Sequence, residues 1–123
     1  MNTSNLEQIV VSALEDIKAR DIEIIDTTRL SSQFERIIVA SGDSGRQTRA
    51  LARNILNRVH AAGGKALGIE GEENGEWVLV DLGEIVVHVM QPAIRAYYRL
   101  EELWTATPAA CGAPKSLAQG AGA

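Results

Sequence analysis

Six carboxylates fall between positions 70 and 84: Glu70, Glu72, Glu73, Glu76, Asp81 and Glu84. Brought together by a fold, such a group could hold a magnesium ion and serve phosphoryl transfer. The turn Ser41-Gly42-Asp43-Ser44, at the start of a helical stretch, could present backbone amides to a phosphate. Nothing in the spacing fixes a ligand geometry, however, and a solvated acidic loop is the commoner origin of such a cluster. Nucleotidyltransferases carry Gly-Ser followed by an Asp-x-Asp pair. This chain reads Ser41-Gly42 and contains no Asp-x-Asp. A metal-dependent nucleotide-binding or nucleotidyltransferase-like enzyme is therefore the alternative reading, not the leading one.

The other chemically capable side chains are sparse. The only histidines are His60 and His88. His60 sits near the end of a helical stretch, where a surface role suffices. His88 interrupts an apolar strand, and with no second ligand nearby it reads as a satisfied, partly buried histidine rather than a metal ligand or base. Cys111 is the single cysteine, so no disulfide and no Cys-His pair is expected. No zinc spacing, Walker motif or dinucleotide-binding glycine pattern occurs. Arg46, Arg49 and Arg53 fall within about 60° of one another on a helical wheel. They could touch ribosomal RNA or another polyanion, although a solvated helix face explains them as simply.

Positioning these residues requires a fold, and the length of 123 residues suits one domain. The hydrophobic fraction of 46%, charged fraction of 23% and net charge of −4 describe an ordinary globular chain that does not favour unaided nucleic-acid binding. No apolar stretch approaches a membrane span, and Met1 to Leu6 lack a signal peptide's basic start and apolar run. With the lone cysteine, this points to a reducing cytosol.

Leu6, Ile9, Val10, Ala13, Leu14 and Ile17 recur at helical spacing, predicting a helix over Ser4 to Arg20 opened by a Ser4–Glu7 capping box. Strands are expected at Asp21 to Asp26 and within Phe34 to Ser41, where Ile37-Ile38-Val39-Ala40 is apolar on both faces. Thr27 to Gln33 reads as a loop. Ser44 and Gln47 box the start of a long helix with the buried stripe Leu51, Ala52, Ile55, Val59 and Ala62, closed by Gly63-Gly64. Lys65 to Glu70 reads as a strand and Gly71 to Gly75 as an acidic turn. Trp77 to Leu82 and Ile85 to Met90 form a hairpin around Gly83-Glu84. Pro92 opens a last helix reaching about Trp104. The domain spans 4–104, and 105–123 reads as a disordered tail. The order predicts an α/β fold, a mixed five-stranded sheet covered by helices, with a parallel crossover between the second and third strands.

The segment Trp77 to Trp104 is the most informative. Aromatics make up only 4% of the chain, yet a tryptophan stands at each end of this unit, and tryptophan is a frequent interface anchor. Its run Asp-Leu-Gly-Glu-Ile-Val-Val-His-Val-Met, followed by Tyr-x-Leu-Glu-x-Leu-Trp, resembles the ribosomal silencing factor family, also called Iojap-like proteins. The stretch Ala13 to Ile22, the turn Ser41-Gly42 with Ser44 and Arg46-Gln47, and Gly68-Ile69-Glu70-Gly71 resemble the same family, so the likeness spans roughly Leu6 to Trp104. Glu84 departs from the usual aspartate, and Glu35 and Arg36 depart from the usual residues at their positions.

The resemblance implies a sandwich related to nucleotidyltransferases without their catalytic residues. It implies no enzymatic activity and no cofactor or metal. It implies a cytoplasmic translational repressor that binds the large ribosomal subunit through its protein number fourteen and blocks joining of the small subunit when nutrients are scarce. The implied contact residues are Trp77, Asp81, Leu82, Gly83, Glu84, His88 and Met90. The implied state is a monomer on the ribosome; an exposed apolar hairpin would also allow the free chain to hide that surface in a homodimer.

Overall fold

The first helix starts earlier than its spacing suggests. In the computed structural model, which describes residues 2–29 and 34–98, the Asn2 side chain accepts from the Asn5 N–H at 2.8 Å and opens α1, Thr3–Asp16. The Ser4–Glu7 box does not form. Asparagine caps as well as serine and comes first in the chain, and Glu7 pairs instead with Arg36 at 3.3 Å. α1 ends at Asp16, short of Arg20, where Lys18 takes a left-handed φ of 62°.

Two strands follow, β1 (Arg20–Asp26) and β2 (Arg36–Ser41), paired antiparallel. Their register shifts between Arg20 and Glu23, beside the left-handed Asp21. Ser44 then caps α2, Gly45–Ala61, accepting from the Gln47 N–H at 3.1 Å. The Gln47 side chain reaches back to the Asp43 N–H at 2.7 Å and donates to the Ile17 and Lys18 carbonyls, tying the start of α2 to the end of α1. We expect Ser44→Ala to cost about 1 kcal/mol of stability, the usual worth of a cap. Urea unfolding with an unchanged m-value would read it.

The remaining elements are β3 (Gly68–Glu70), β4 (Trp77–Asp81), β5 (Ile85–Met90) and α3 (Pro92–Tyr98). β3 is shorter than the expected Lys65 to Glu70. The extension of the last helix to Trp104 and the tail 105–123 lie outside the described residues. The sheet order is β1-β2-β5-β4-β3. The parallel partner of β2 is β5, not β3. α2 carries the chain to the far edge of the sheet, and the antiparallel run β3-β4-β5 brings it back to β2. β3 does run in the direction of β2, but three residues with one apolar side chain could not cover a strand apolar on both faces. The sequence Ile-Val-Val-His-Val-Met of β5 can.

Period-two alternation divides the sheet. One face carries Ile38, Ala40, Val78, Val80, Ile85, Val87 and Val89, packed against Val10, Ala13 and Leu14 of α1 and Leu51, Ala52, Ile55 and Val59 of α2. Each of the valines, leucines and isoleucines among them contributes about 1.5–3 kcal/mol on burial. Ala62, expected in the α2 stripe, is exposed. The other face carries a smaller cluster of Ile25, Ile37, Val39 and Met90, with Phe34, Trp77 and Ile94 against it.

Candidate functional site: the hairpin face of the sheet

β4 and β5 pair as Trp77 with Met90, Leu79 with His88 and Asp81 with Val86. All six side chains project from the face opposite α1 and α2. Trp77, Leu79, Asp81 and Val86 are half-buried there, whereas Met90 is fully buried against Ile94 of α3. Across β3, Glu70 pairs with Leu79, and the exposed Glu84 stands at the hairpin tip. The result is a partly exposed apolar strip, Trp77–Leu79–Val86, with carboxylates at Glu70, Asp81 and Glu84 around it.

The hairpin is stiffened locally. The Asp81 carboxylate accepts from the Gly83 N–H at 2.9 Å, and the Leu82 N–H donates to the Ile85 carbonyl at 2.9 Å. Gly83 takes φ 86°, a conformation open to glycine. The Glu84 carbonyl accepts from the Glu35 and Arg36 amides, and its carboxylate accepts from the Thr3 hydroxyl at 2.8 Å. The tip is therefore held from β2 and from the start of α1.

His88 is 8% exposed. Its Nδ1 accepts from the Trp77 indole Nε1–H at 2.9 Å, and the two rings sit 5.8 Å apart, tilted by 52°. An accepting Nδ1 places the imidazole proton on Nε2 in the neutral ring. Burial pushes the His88 pKa down to about 4. His88 is thus the satisfied, buried histidine that its apolar setting predicts, and its proximity to Trp77 was not visible in the spacing.

The sequence-expected contact residues separate into two groups. Trp77, Asp81, Gly83 and Glu84 offer side chain or backbone at the surface. Leu82, 7% exposed, belongs to the core beneath the helices, Met90 is wholly covered and His88 is nearly so, so these three present little or no side chain at the surface. A strand residue two positions along returns to the same face, which buries Leu82 with Val78 and Val80 on the helix side. The same alternation adds Leu79 and Val86, which the motif reading passed over. Leu67, 70% exposed, is a further addition. Its N–H donates to the Asp81 carbonyl at 2.7 Å, and a Cβ on Gly83 would lie 3.5 Å from its Cδ1, so it flanks the hairpin tip.

The carboxylates do not converge on a metal geometry. Glu72 pairs with Arg53 at 2.8 Å, and the Glu72 and Glu73 carbonyls lie 3.4 and 3.3 Å from the Arg49 guanidinium. The acidic turn is docked on α2, where the Glu72 carboxylate meets Arg53 and the backbone carbonyls meet Arg49. The buried Thr48 hydroxyl lies 2.5 Å from the Gly75 carbonyl and seals the same contact. Among the described residues no three His, Cys, Asp or Glu side chains are placed to hold a metal ion. Three amides at the turn before α2 are engaged within the chain: Gly42 donates to the Met90 carbonyl, Asp43 to the Gln47 side chain and Gln47 to the Ser44 hydroxyl, so these three do not face a phosphate. Among the described residues no helix is long and apolar enough to cross a membrane.

Comparison with known proteins identifies the family. The family model described as ribosomal silencing factor during starvation matches residues 1–120. A protein of Chromobacterium violaceum named ribosomal silencing factor RsfS is 51% identical over 104 residues, covering 85% of each chain. Its namesake in Bacillus subtilis is 36% identical over 110 residues, covering 89% of this chain and 93% of its own. A crystal structure of a Chromobacterium violaceum protein superimposes with a TM-score of 0.84 at 50% identity, covering 87% of this chain and 89% of the other. With a match across almost its whole length, at this identity and with the same mixed sheet, the chain belongs to the ribosomal silencing factor family.

Proposed function

We propose that this chain is a non-catalytic, cytoplasmic translational repressor that docks on the large ribosomal subunit through its protein number fourteen and obstructs the small subunit. What carries this reading is the strip Trp77–Leu79–Val86 with its acidic surround, within a chain of the silencing factor family. An apolar centre with a charged rim is the ordinary anatomy of a protein interface. Asp81, Glu70 and Glu84 suit a basic ribosomal protein and would steer the encounter. The same charge is repelled by RNA, and Arg49 and Arg53 are engaged with the acidic turn, so a ribosomal RNA contact is minor and falls to exposed Arg46. Subunit joining buries a broad surface, and a domain this small need only cover part of it to block the approach. The fold needs no cofactor for this task, and a monomer on the ribosome suffices.

Co-sedimentation with isolated large and small subunits tests the proposal. The chain is expected to travel with the large subunit alone and to reduce the joined particles formed when both are mixed. Migration with neither subunit, or an undiminished yield of joined particles, would sink it.

A further inference from the structure

The geometry points to His88 as a positioning residue: it fixes the orientation of the Trp77 indole on the docking face rather than touching the partner itself. The inference rests on the docking reading above. Trp77 stands at the first position of β4, half-buried against the cluster of Ile25, Ile37, Val39 and Met90. Its half-buried ring needs a defined rotamer if it is to present the same edge to every partner. His88 lies diagonally across the hairpin, since it pairs with Leu79 and not with Trp77. Diagonal neighbours on one face are within reach of aromatic side chains.

Three observations make the histidine a holder and not a contact. It is 8% exposed, so little of it is available to another molecule. It is boxed by strands on both sides, opposite Leu79 on β4 and Val39 on β2, which leaves its ring few alternatives. Its Nδ1 takes the one polar hydrogen of the indole at 2.9 Å, with the rings at 52°. A valine here would fill the strand as its neighbours do, but would leave the indole N–H without this acceptor. A buried rigid acceptor orients the ring without adding a rotamer to be frozen on binding, and such pre-organisation raises affinity without a new contact.

Asparagine places Oδ1 where the imidazole carries Nδ1, whereas phenylalanine fills the space and accepts nothing. The test compares the parent with His88→Asn and His88→Phe in the full chain. Three quantities are read: the Trp77 indole N–H resonance and its hydrogen exchange by nitrogen-15 NMR, thermal unfolding, and affinity for isolated large subunits. Trp77→Phe assigns the resonance against Trp104. His88→Phe is expected to stay folded, to shift the resonance and speed its exchange, and to bind about tenfold more weakly, as for one lost orienting hydrogen bond. His88→Asn should restore both resonance and affinity. A folded His88→Phe variant with parental affinity, or with an unmoved indole resonance, would overturn the positioning role while leaving the docking reading intact. If His88→Phe does not fold, His88→Asn decides: loss of affinity with the indole resonance kept overturns the role, and parental values of both support it. A parent that binds no large subunit would instead remove the docking reading, and the positioning role with it.

Discussion

Between pH 6.5 and pH 4 the domain is expected to lose about 3 kcal/mol of stability through His88 alone. Burial holds the His88 pKa at about 4 in the fold, while the unfolded chain returns it to its ordinary value near 6.5. In that window the unfolded state binds the extra proton, so stability rises with pH and falls on acidification. The contribution is fully present above about 6.5 and is lost as pH drops towards 4. The charged groups nearest on the same face are Asp81 on β4, Glu70 on β3 and Glu23 on β1, while Arg95 of α3 lies by Ser41 at the strand end. None sits opposite His88, whose cross-strand partners are Leu79 and Val39. Burial alone sets the direction. His88→Asn keeps an acceptor but does not titrate. Urea unfolding of parent and variant across this range should show the parent losing about 3 kcal/mol relative to the variant, and subtraction cancels the carboxylates common to both. A stability difference that stays constant from pH 6.5 to 4 would mean that His88 is not the titrating group. The same protonation puts a hydrogen on Nδ1 and ends the bond from Trp77, so the indole resonance should move with the histidine.

Much of this architecture was legible from period and caps, and the misreadings have specific causes. The two helical stripes and the alternation of β4 and β5 were strong because one face of each is apolar without interruption. The hairpin was legible because Asp81-Leu82-Gly83-Glu84 has turn chemistry between two strand patterns. The Ser4–Glu7 box failed because two good caps stood two residues apart and Arg36, distant in sequence, drew Glu7 away. α2 makes the expected parallel crossover, since β3 runs in the direction of β2, but no local pattern places β5 rather than β3 beside β2. The long strand best able to cover Ile37-Ile38-Val39-Ala40 came last. The acidic cluster looked like a site for the same reason: no local pattern announces that Arg49 and Arg53, on a helix some twenty residues earlier, will receive it. The motif likeness pointed to this hairpin and included Leu82 and Met90, which alternation assigns to the interior. Leu79 and Val86 were readable from the same alternation. Leu67 was not, since its exposure depends on where a three-residue edge strand begins.

Replacing Trp77 by alanine is expected to weaken binding to the large subunit by about 1–4 kcal/mol, the range of a truncated interface anchor. Two effects must be separated. Trp77 packs against the cluster of Ile25, Ile37, Val39 and Met90, so its removal also exposes apolar surface within the protein. A fully buried tryptophan costs about 3–5 kcal/mol on truncation, and a half-buried one on a sheet edge should cost less, about 2. The docking surface itself is a wider strip, in which Leu79 and Val86 keep their places on well-paired strands. The variant should therefore remain folded at low temperature, with the circular dichroism of the parent. Binding measured there reports the lost contact and not unfolding. Glu84→Lys supplies the complementary arm, because it alters charge at the tip with no apolar loss. Against a basic partner it should slow association and weaken the salt dependence, with little change in dissociation. The pattern expected for this face is a dissociation-rate effect for Trp77→Ala and an association-rate effect for Glu84→Lys. If folded Trp77→Ala binds as the parent does, the tryptophan belongs to the fold alone and the partner must dock elsewhere. If Glu84→Lys binds faster, the facing surface is acidic or is RNA, and the charge argument that assigns a basic protein partner fails.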